Sequence, residues 1–200
     1  GRGIVHSERR PESLANQAYV NHGIQLWAAL PVAHEEAEPS FVHTPAAAIP
    51  QVLVGDATVR VLVGQAWGAQ SPVVSLAPAL YLDIQLPANG QLRLPAGMAQ
   101  ELGLYAVDAA VSVADETLEP HTMAVLPTDR PLALRAGSTP VRCMLVGGDA
   151  LAERRHIWWN FVSSRKERIV QAASDWEAQR TGQVPGETEF IPLPAHRFKP

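Results

Sequence analysis

The feature that most constrains the fold of this chain is a succession of short apolar stretches separated by turn residues. In residues 80–86 (Leu-Tyr-Leu-Asp-Ile-Gln-Leu) apolar side chains occupy every second position, which is the pattern of a strand with one buried face. Similar stretches recur from residue 51 to residue 146, with turns after roughly every 8–12 residues. The 17 prolines of the chain also favour short strands over helices. The sequence therefore predicts an all-β sandwich or small barrel.

The pattern changes towards the C-terminus, where one helix is predicted over residues 165–180. Ser164 and Glu167 have the spacing of a capping box, in which each side chain bonds the backbone of the other residue. Apolar residues then follow at helical spacing, and Gly182 is a plausible stop. The positions on that helical face are Ile169, Ala172, Ala173 and Trp176. The proline-rich tail, residues 185–200, is predicted to be extended.

Composition excludes several classes of protein. A net charge of -4 argues against a nucleic-acid binder that works by bulk charge. Cys143 is the only cysteine, so an internal disulfide framework is excluded. It lies in an apolar stretch, where a buried small side chain is favoured over a reactive thiol. No run of about 18 apolar residues predicts a membrane span, and no signal-peptide pattern is present. A reducing, cytoplasmic setting is the default expectation.

At the start of the chain, His6 and Glu8 form a His-x-Glu pair in residues 1–8, which we predict to lead into a strand. Residues i and i+2 of a strand point to the same face, so an imidazole and a carboxylate would converge there. They are half of the ligand set of a non-haem iron site. The alternative is a surface histidine and glutamate on a loop. Residues 9–21 are predicted as a loop, 22–30 as a strand and 32–50 as a linker.

Eight stretches, taken together and in order, resemble the pirin family of the cupin superfamily. They are residues 1–8, 22–27, 38–41, 80–83, 119–125, 147–153, 158–164 and 189–194. A pirin is similar to two cupin barrels in one chain, a bicupin, in which only the N-terminal barrel holds iron. The resemblance implies a cupin-type double-stranded β-helix (jelly-roll barrel) with a C-terminal α-helix. Residues 1–47 would be the remnant of an incomplete first barrel plus the linker, and 48–200 the second barrel with helix and tail.

The resemblance also implies which residues hold the metal. Family members bind iron through a His-x-His motif and a later His-x-Glu motif, and His6 and Glu8 stand at the second of these. The chain contains no His-x-His, so we expect an N-terminally truncated protein in which half of the Fe(II) ligand set is present. This chain alone is expected to hold little iron and to be inactive.

Two functions follow from the resemblance. The first is quercetin 2,3-dioxygenase activity, in which a flavonol-like small molecule meets dioxygen at the metal and Glu8 serves as the catalytic base. The alternative is a non-enzymatic, iron-dependent redox sensor that binds transcription factors or metabolic enzymes. An incomplete barrel would also leave open sheet edges, which predict self-association.

Other residues have a functional interpretation beside a simpler structural one. His22 could lie near the metal ligands, but a structural role is favoured. Trp158, Trp159 and Phe161 could line a ligand surface, yet packing of the C-terminal segment onto a barrel is favoured. The basic residues of the C-terminal region and the acidic residues of the linker are predicted to be solvated faces. These are Arg154, Arg155, Arg165, Lys166 and Arg168, and Glu35, Glu36 and Glu38.

Overall fold

The computed structural model describes residues 1–198, which divide into two compact units. One unit joins Gly1–Phe41 to the segment that starts at Leu151, and the other is Val42–Ala150. This grouping is by spatial contact, whereas the predicted division at residue 47 concerns the barrel to which each segment belongs. The division into 1–47 and 48–200 therefore stays a prediction.

The unit Val42–Ala150 consists of β-strands preceded by a 3₁₀ helix at Ala46–Ala48. In chain order the strands are β1 (Gln51–Val54), β2 (Ala57–Val63), β3 (Gln65–Ala66), β4 (Ala69–Gln70), β5 (Ala79–Leu86), β6 (Gln91–Leu94), β7 (Glu101–Ala106), β8 (Val111–Val113), β9 (Glu116–Leu118), β10 (Met123–Leu126), β11 (Leu132–Ala136) and β12 (Val141–Gly148). All pairs between them are antiparallel. One sheet has the order β1-β2-β5-β12-β7-β10, a second has the order β6-β11-β8-β9, and β3 pairs with β4 alone.

The two larger sheets contribute to one apolar core. Leu82, Ile84, Leu104 and Leu145 of the six-stranded sheet are fully buried together with Leu134 of the four-stranded sheet. The apolar positions of the alternation predicted in β5 all belong to this core. The alternation predicted the buried face of β5 correctly because a period of two places every second side chain on that face.

An ion pair with a buried carboxylate lies on the other face of the six-stranded sheet. Asp83 belongs to the polar half of the β5 alternation, yet its side chain is only 1% exposed. Arg142 on the neighbouring β12 donates to it twice, from Nε to Oδ1 at 2.8 Å and from Nη2 to Oδ2 at 2.7 Å. These hydrogen bonds raise the pKa of Arg142. The bidentate pairing offsets the cost of removing the carboxylate from water.

The other unit has much less regular structure. Residues 1–41 contain two 3₁₀ helices, Glu12–Leu14 and Val32–His34, and no strand. After residue 150 come a hairpin of β13 (His156–Trp158) and β14 (Phe161–Ser163), and then α1 (Lys166–Glu177). The tail predicted to be extended over 185–200 has no helix or strand up to residue 198, and its last two residues lie outside the described part.

The strand predicted at residues 22–30 is not present, so that prediction is wrong for this structure, and residues 1–8, predicted as a strand end or turn leading into a strand, contain no strand residue. A strand is defined by ladder hydrogen bonds to a neighbour, and no part of residues 1–198 pairs in this way with either stretch. Ile24, Leu26 and Trp27 are consequently about half exposed. The self-association of such unpaired apolar segments stays a prediction.

The predicted helix is confirmed in its central part, but its predicted cap is wrong. Helix α1 spans Lys166–Glu177 rather than 165–180, its N-cap is Arg165, and no side chain caps it. Ser164 instead donates to Glu35, from its backbone N–H to Oε1 at 2.8 Å and from Oγ to Oε2 at 2.7 Å. A carboxylate from elsewhere in the chain thus accepts the backbone N–H that Glu167 would accept in a capping box, and it also accepts from the Ser164 hydroxyl.

Glu35, Ser164 and Arg155 form what we call the Glu35 cluster. Arg155 Nε lies 2.8 Å from Glu35 Oε1, although its N–H is not directed along that line, so this contact is an ion pair. The guanidinium also donates from Nη2 to Leu30 O at 2.8 Å. The prediction of solvated faces is therefore wrong for Glu35 and Arg155, whose side chains are 10% and 6% exposed. Glu38, at 73%, is solvated as predicted.

Replacing Arg142 with alanine is expected to lower the free energy of unfolding by about 3 kcal/mol, because Asp83 would stay buried without a counter-charge. Arg135→Ala is the matched control. Arg135 also lies on a strand of this unit, but its partner Asp115 is 90% exposed, so the expected loss is under about 1 kcal/mol. Urea denaturation measures both, and equal losses would contradict the importance of burial.

Replacing Glu35 with glutamine is expected to destabilise the unit that contains α1 by about 3 kcal/mol, because Arg155 would keep its buried charge and lose its counter-ion. The control Glu38→Gln removes an exposed partner of Arg2 and should cost under about 1 kcal/mol. Denaturant-induced unfolding followed by tryptophan fluorescence checks this, since Trp158, Trp159 and Trp176 lie in this unit. A loss from Glu38→Gln as large as that from Glu35→Gln would count against the prediction.

Candidate functional site

The predicted ligands His6 and Glu8 lie on an exposed stretch of the N-terminal segment. Glu8 has a neighbour that the sequence analysis missed: Gln25 donates from Nε2 to Glu8 Oε1 at 3.1 Å. A signal for it was present, since Gln25 is a polar residue within the apolar stretch 24–30. This contact joins the His-x-Glu segment to the stretch 22–27, and it engages one oxygen of the carboxylate.

The backbone before this pair is anchored at Arg2. Its N–H donates to Ala37 O at 2.9 Å, and its carbonyl accepts from Arg168 Nη2 on α1 at 2.8 Å. The side chain of Arg2 pairs with Glu38 at 2.6 Å. Residues 36 and 168 are also joined, because Arg168 Nε donates to Glu36 Oε1 at 3.2 Å. The start of the chain is thus attached to the helix and to the stretch 36–38.

The backbone after the pair is anchored at Arg9 by the C-terminal tail. Arg9 Nε donates to Glu187 Oε2 at 2.7 Å, its Nη2 donates to Glu187 Oε1, and Nη1 lies 3.2 Å from Glu189 Oε2. We call Arg9, Glu187 and Glu189 the tail clasp. The hydrogen bonds from Arg9 lower the pKa of Glu187 to about 2. The carboxylate therefore stays charged across the physiological pH range.

The donor chemistry of His6 and Glu8 fits two positions of a non-haem iron centre. An imidazole and a carboxylate are the ligand types that such iron takes. Within residues 1–198 no three His, Cys, Asp or Glu side chains are grouped so that they could hold a metal ion. The assignment of His6 and Glu8 as metal ligands therefore stays a prediction, and no group of three potential ligands in the described chain includes them.

The remaining histidines do not extend this pair. His22 is exposed, and His34 ends the 3₁₀ helix Val32–His34. His121, on the turn before β10, has a positive φ of 63°. None of them belongs to a potential metal group among the described residues. The expectation of structural or solvated roles for these histidines stays unchanged.

The aromatic residues near the C-terminus pack on one another. Trp159 makes edge contacts with Phe161 and Trp176, each at 5.3 Å between ring centroids. Trp176 stacks on Phe190 of the tail at 5.3 Å, and its indole N–H donates to Ile191 O at 2.8 Å. These rings join the hairpin, α1 and the tail, whereas the predicted packing of this segment onto a barrel stays a prediction.

A groove in the unit Val42–Ala150 offers no acid–base chemistry. Its walls are formed by residues 48–50, 64–65 and 70–79, and no side chain that lines it is titratable. Ser71, its most buried polar residue, donates its hydroxyl to Leu62 O at 2.7 Å. The groove is thus a gap beside a structured loop and carries no catalytic group.

Comparison with known proteins assigns the chain to a family. Residues 81–182 match the profile of the Pirin C-terminal cupin domain. A pirin-like protein of Caulobacter vibrioides is 38% identical over 197 residues, which are 97% of this chain and 67% of that protein. This chain belongs to the pirin family. Human pirin is 29% identical over 188 residues, which cover 91% of this chain and 63% of that protein.

A solved structure extends the likeness to three dimensions. The crystal structure of quercetin 2,3-dioxygenase from Acinetobacter baumannii aligns with a TM-score of 0.78 and 26% identity, over 86% of this chain and 58% of that chain. The all-β, cupin-type fold with a C-terminal helix is thereby confirmed. This chain spans about two thirds of the length of its curated relatives, so the activity of the whole protein is a matter for proposal.

In the described chain, no helix is long and apolar enough to cross a membrane.

Cys143 is expected to be unreactive in the folded protein. It is fully buried in β12, and burial raises the pKa of its thiol to about 12. The thiolate is the nucleophile, and at pH 8 the group stays protonated. A disulfide reagent such as Ellman's reagent at pH 8 should label the native protein far more slowly than the urea-unfolded protein. Labelling at equal rates would show that β12 opens readily.

Proposed function

We propose that this chain is the larger part of a pirin-type quercetin 2,3-dioxygenase, in which His6 and Glu8 are two of the ligands of an iron ion. The observation that carries the proposal is the fixed His-x-Glu segment, anchored at Arg2 and Arg9 and joined to Gln25. The quercetin 2,3-dioxygenase of Acinetobacter baumannii, with its similar fold, supports the choice of reaction. A flavonol-like small molecule is the substrate class.

In this proposal His6 and Glu8 would hold the metal, and Glu8 would also accept a proton from the substrate. When bound, iron supplies a centre at which an enolate and dioxygen come together. Gln25 Nε2 donates to Glu8 Oε1, so we assign Oε2 to the metal. A carboxylate oxygen has two lone pairs, so Oε1 would still have one to accept the proton of the flavonol hydroxyl, and Glu8 would be both ligand and base. His6 would supply a neutral imidazole nitrogen.

The relatives that are named simply pirin, human pirin among them, support a second candidate function. Under this alternative the iron centre is a redox sensor, and the protein binds transcription factors or metabolic enzymes without turning over a substrate. The same two ligands serve both functions. Metal content therefore cannot separate them, whereas turnover can.

Two ligands hold a metal weakly, so this 200-residue chain should contain far less than one iron per molecule after purification. Elemental analysis measures this, with His22→Ala as a matched control because His22 is another exposed histidine of the same unit. Stoichiometric iron that disappears in His6→Ala would show that the chain completes the site by itself and would contradict the two-ligand assignment.

The dioxygenase proposal is tested on the coding region and on the protein that it encodes. We expect a His-x-His motif encoded ahead of Gly1, and oxygen uptake with quercetin by the protein that contains it. Absence of that motif would contradict the dioxygenase proposal. One tightly bound iron without any consumption of quercetin would instead favour the redox-sensing alternative.

A further inference from the structure

Arg9 follows the proposed ligand Glu8, and two carboxylates hold its guanidinium in a defined orientation. Arg9 presents Nε and Nη2 to the two oxygens of Glu187, and Nη1 to Glu189. Two parallel N–H donors on one carboxylate fix orientation as well as distance. Since Arg9 and Glu8 share a peptide bond, the position of the Glu8 backbone is restricted by the same contact.

Glu187 is itself restrained, which separates this pair from an ordinary surface ion pair. Its Oε1 accepts the backbone N–H groups of Thr188 at 2.9 Å and Glu189 at 3.2 Å, and its own N–H donates to Val184 O at 3.0 Å. Its side chain is 16% exposed, against 51% for Arg9. Surface ion pairs contribute little when two flexible side chains must both be ordered, whereas here the acceptor is already ordered.

The tail that carries Glu187 is attached to α1. Trp176 stacks on Phe190 and donates its indole N–H to Ile191 O. The same helix holds the other end of the segment, because Arg168 donates to the carbonyl of Arg2. Residues 3–8 therefore lie between two anchors, and both anchors involve the C-terminal segment.

The contacts at Arg2 and Arg9 restrain a segment that belongs to no sheet of the described chain. Residues 1–8 make no ladder hydrogen bonds with the described chain. Fixing such a segment costs conformational entropy that ladder hydrogen bonds do not offset. Ordering of that kind before a ligand binds improves affinity without any new contact to the ligand. The two anchors would supply this ordering.

We propose that the C-terminal tail positions the His6–Glu8 segment through the tail clasp, with Arg9 and Glu187 as positioning residues that touch no ligand themselves. This inference rests on the proposed function only in its last step, where an ordered segment becomes an ordered pair of metal ligands. The clasp itself can be tested without any metal.

Backbone motion in the metal-free chain is the first measurement. With ¹⁵N relaxation, residues 4–9 of the unmodified chain should give order parameters of about 0.8, as rigid backbone does, and Arg9→Gln or Glu187→Gln should reduce them to below about 0.6. Circular dichroism confirms that α1 is still folded in each variant. Order parameters that stay high in Glu187→Gln would overturn the clasp.

Arg180→Gln is the matched control. Arg180 also donates twice to a carboxylate in the same unit, from Nε at 3.1 Å and from Nη2 at 2.8 Å to Asp175 Oδ1. It touches neither the N-terminal segment nor Glu187, so residues 4–9 should stay rigid. The double exchange of Arg9→Glu with Glu187→Arg should restore part of the lost order, and a double variant no better than the single variants would overturn the pairing.

Cobalt(II) titration followed by NMR then connects the clasp to the ligands. The part of the binding that is lost in His6→Ala should weaken about two- to tenfold in Arg9→Gln and Glu187→Gln, and should not change in Arg180→Gln. Binding that depends on His6 but ignores the clasp would overturn the positioning role and leave the proposed function standing. Clasp variants that loosen residues 4–9, in a chain whose cobalt binding ignores His6 and Glu8, would support the clasp and contradict the metal site.

Discussion

The unit that contains the N-terminal segment depends on one buried carboxylate, that of Glu35. It accepts two hydrogen bonds from Ser164 and pairs with Arg155, and both of these residues lie more than a hundred positions away in sequence. Removing a carboxylate and a guanidinium from water costs several kcal/mol for each ion, and the cost is offset only where every donor and acceptor has a partner. The Glu35 cluster meets most of that condition. Its members come from the stretch after Val32–His34, from the approach to β13 and from the residue before α1, so one contact fixes three segments.

The two units are stabilised by different kinds of interaction. Val42–Ala150 has a core in which Leu82, Leu104 and Leu134 are fully buried, and burial of that kind contributes about 25 cal/mol per Å² of apolar surface. In the described part of the other unit, Ile169 is the one apolar side chain that is fully buried. That unit is stabilised instead by ion pairs and by half-buried aromatic rings. Its exposed ion pairs, such as Arg2–Glu38 and Arg9–Glu189, are screened by salt, whereas the buried Glu35 cluster is screened much less.

The features that the sequence predicted correctly depend on residues close together in the chain, whereas the features that it missed depend on contacts between distant residues. The β5 alternation and the central part of α1 depend on spacings of two to seven residues, and both were predicted correctly. The capping box at Ser164 failed because Glu35 accepts from both the backbone N–H and the hydroxyl of Ser164, and no residue near Ser164 indicates a partner 129 residues away. The strand at 22–30 failed because a strand requires a neighbour, which a local pattern cannot supply. The assignment of His6 and Glu8 as ligands rests on the order of whole stretches along the chain and stays a prediction, whereas Gln25 and Arg9 were missed because their roles depend on contacts in the folded structure.

A metal site requires enough ligands and also requires that they be held in place before the metal arrives. In a cupin barrel, ladder hydrogen bonds to neighbouring strands would provide the second condition. Here the segment of His6 and Glu8 has no such neighbour in the described chain, and its restraints come from Arg168, Glu187 and the stretch 36–38. A change in the tail alone would therefore affect the backbone after the pair, whereas a change in α1 would affect both anchors, because Arg168 holds Arg2 and Trp176 attaches the tail. Under the proposed assignment of His6 and Glu8 as ligands, residues that contribute no ligand would thus influence whether the imidazole and the carboxylate converge.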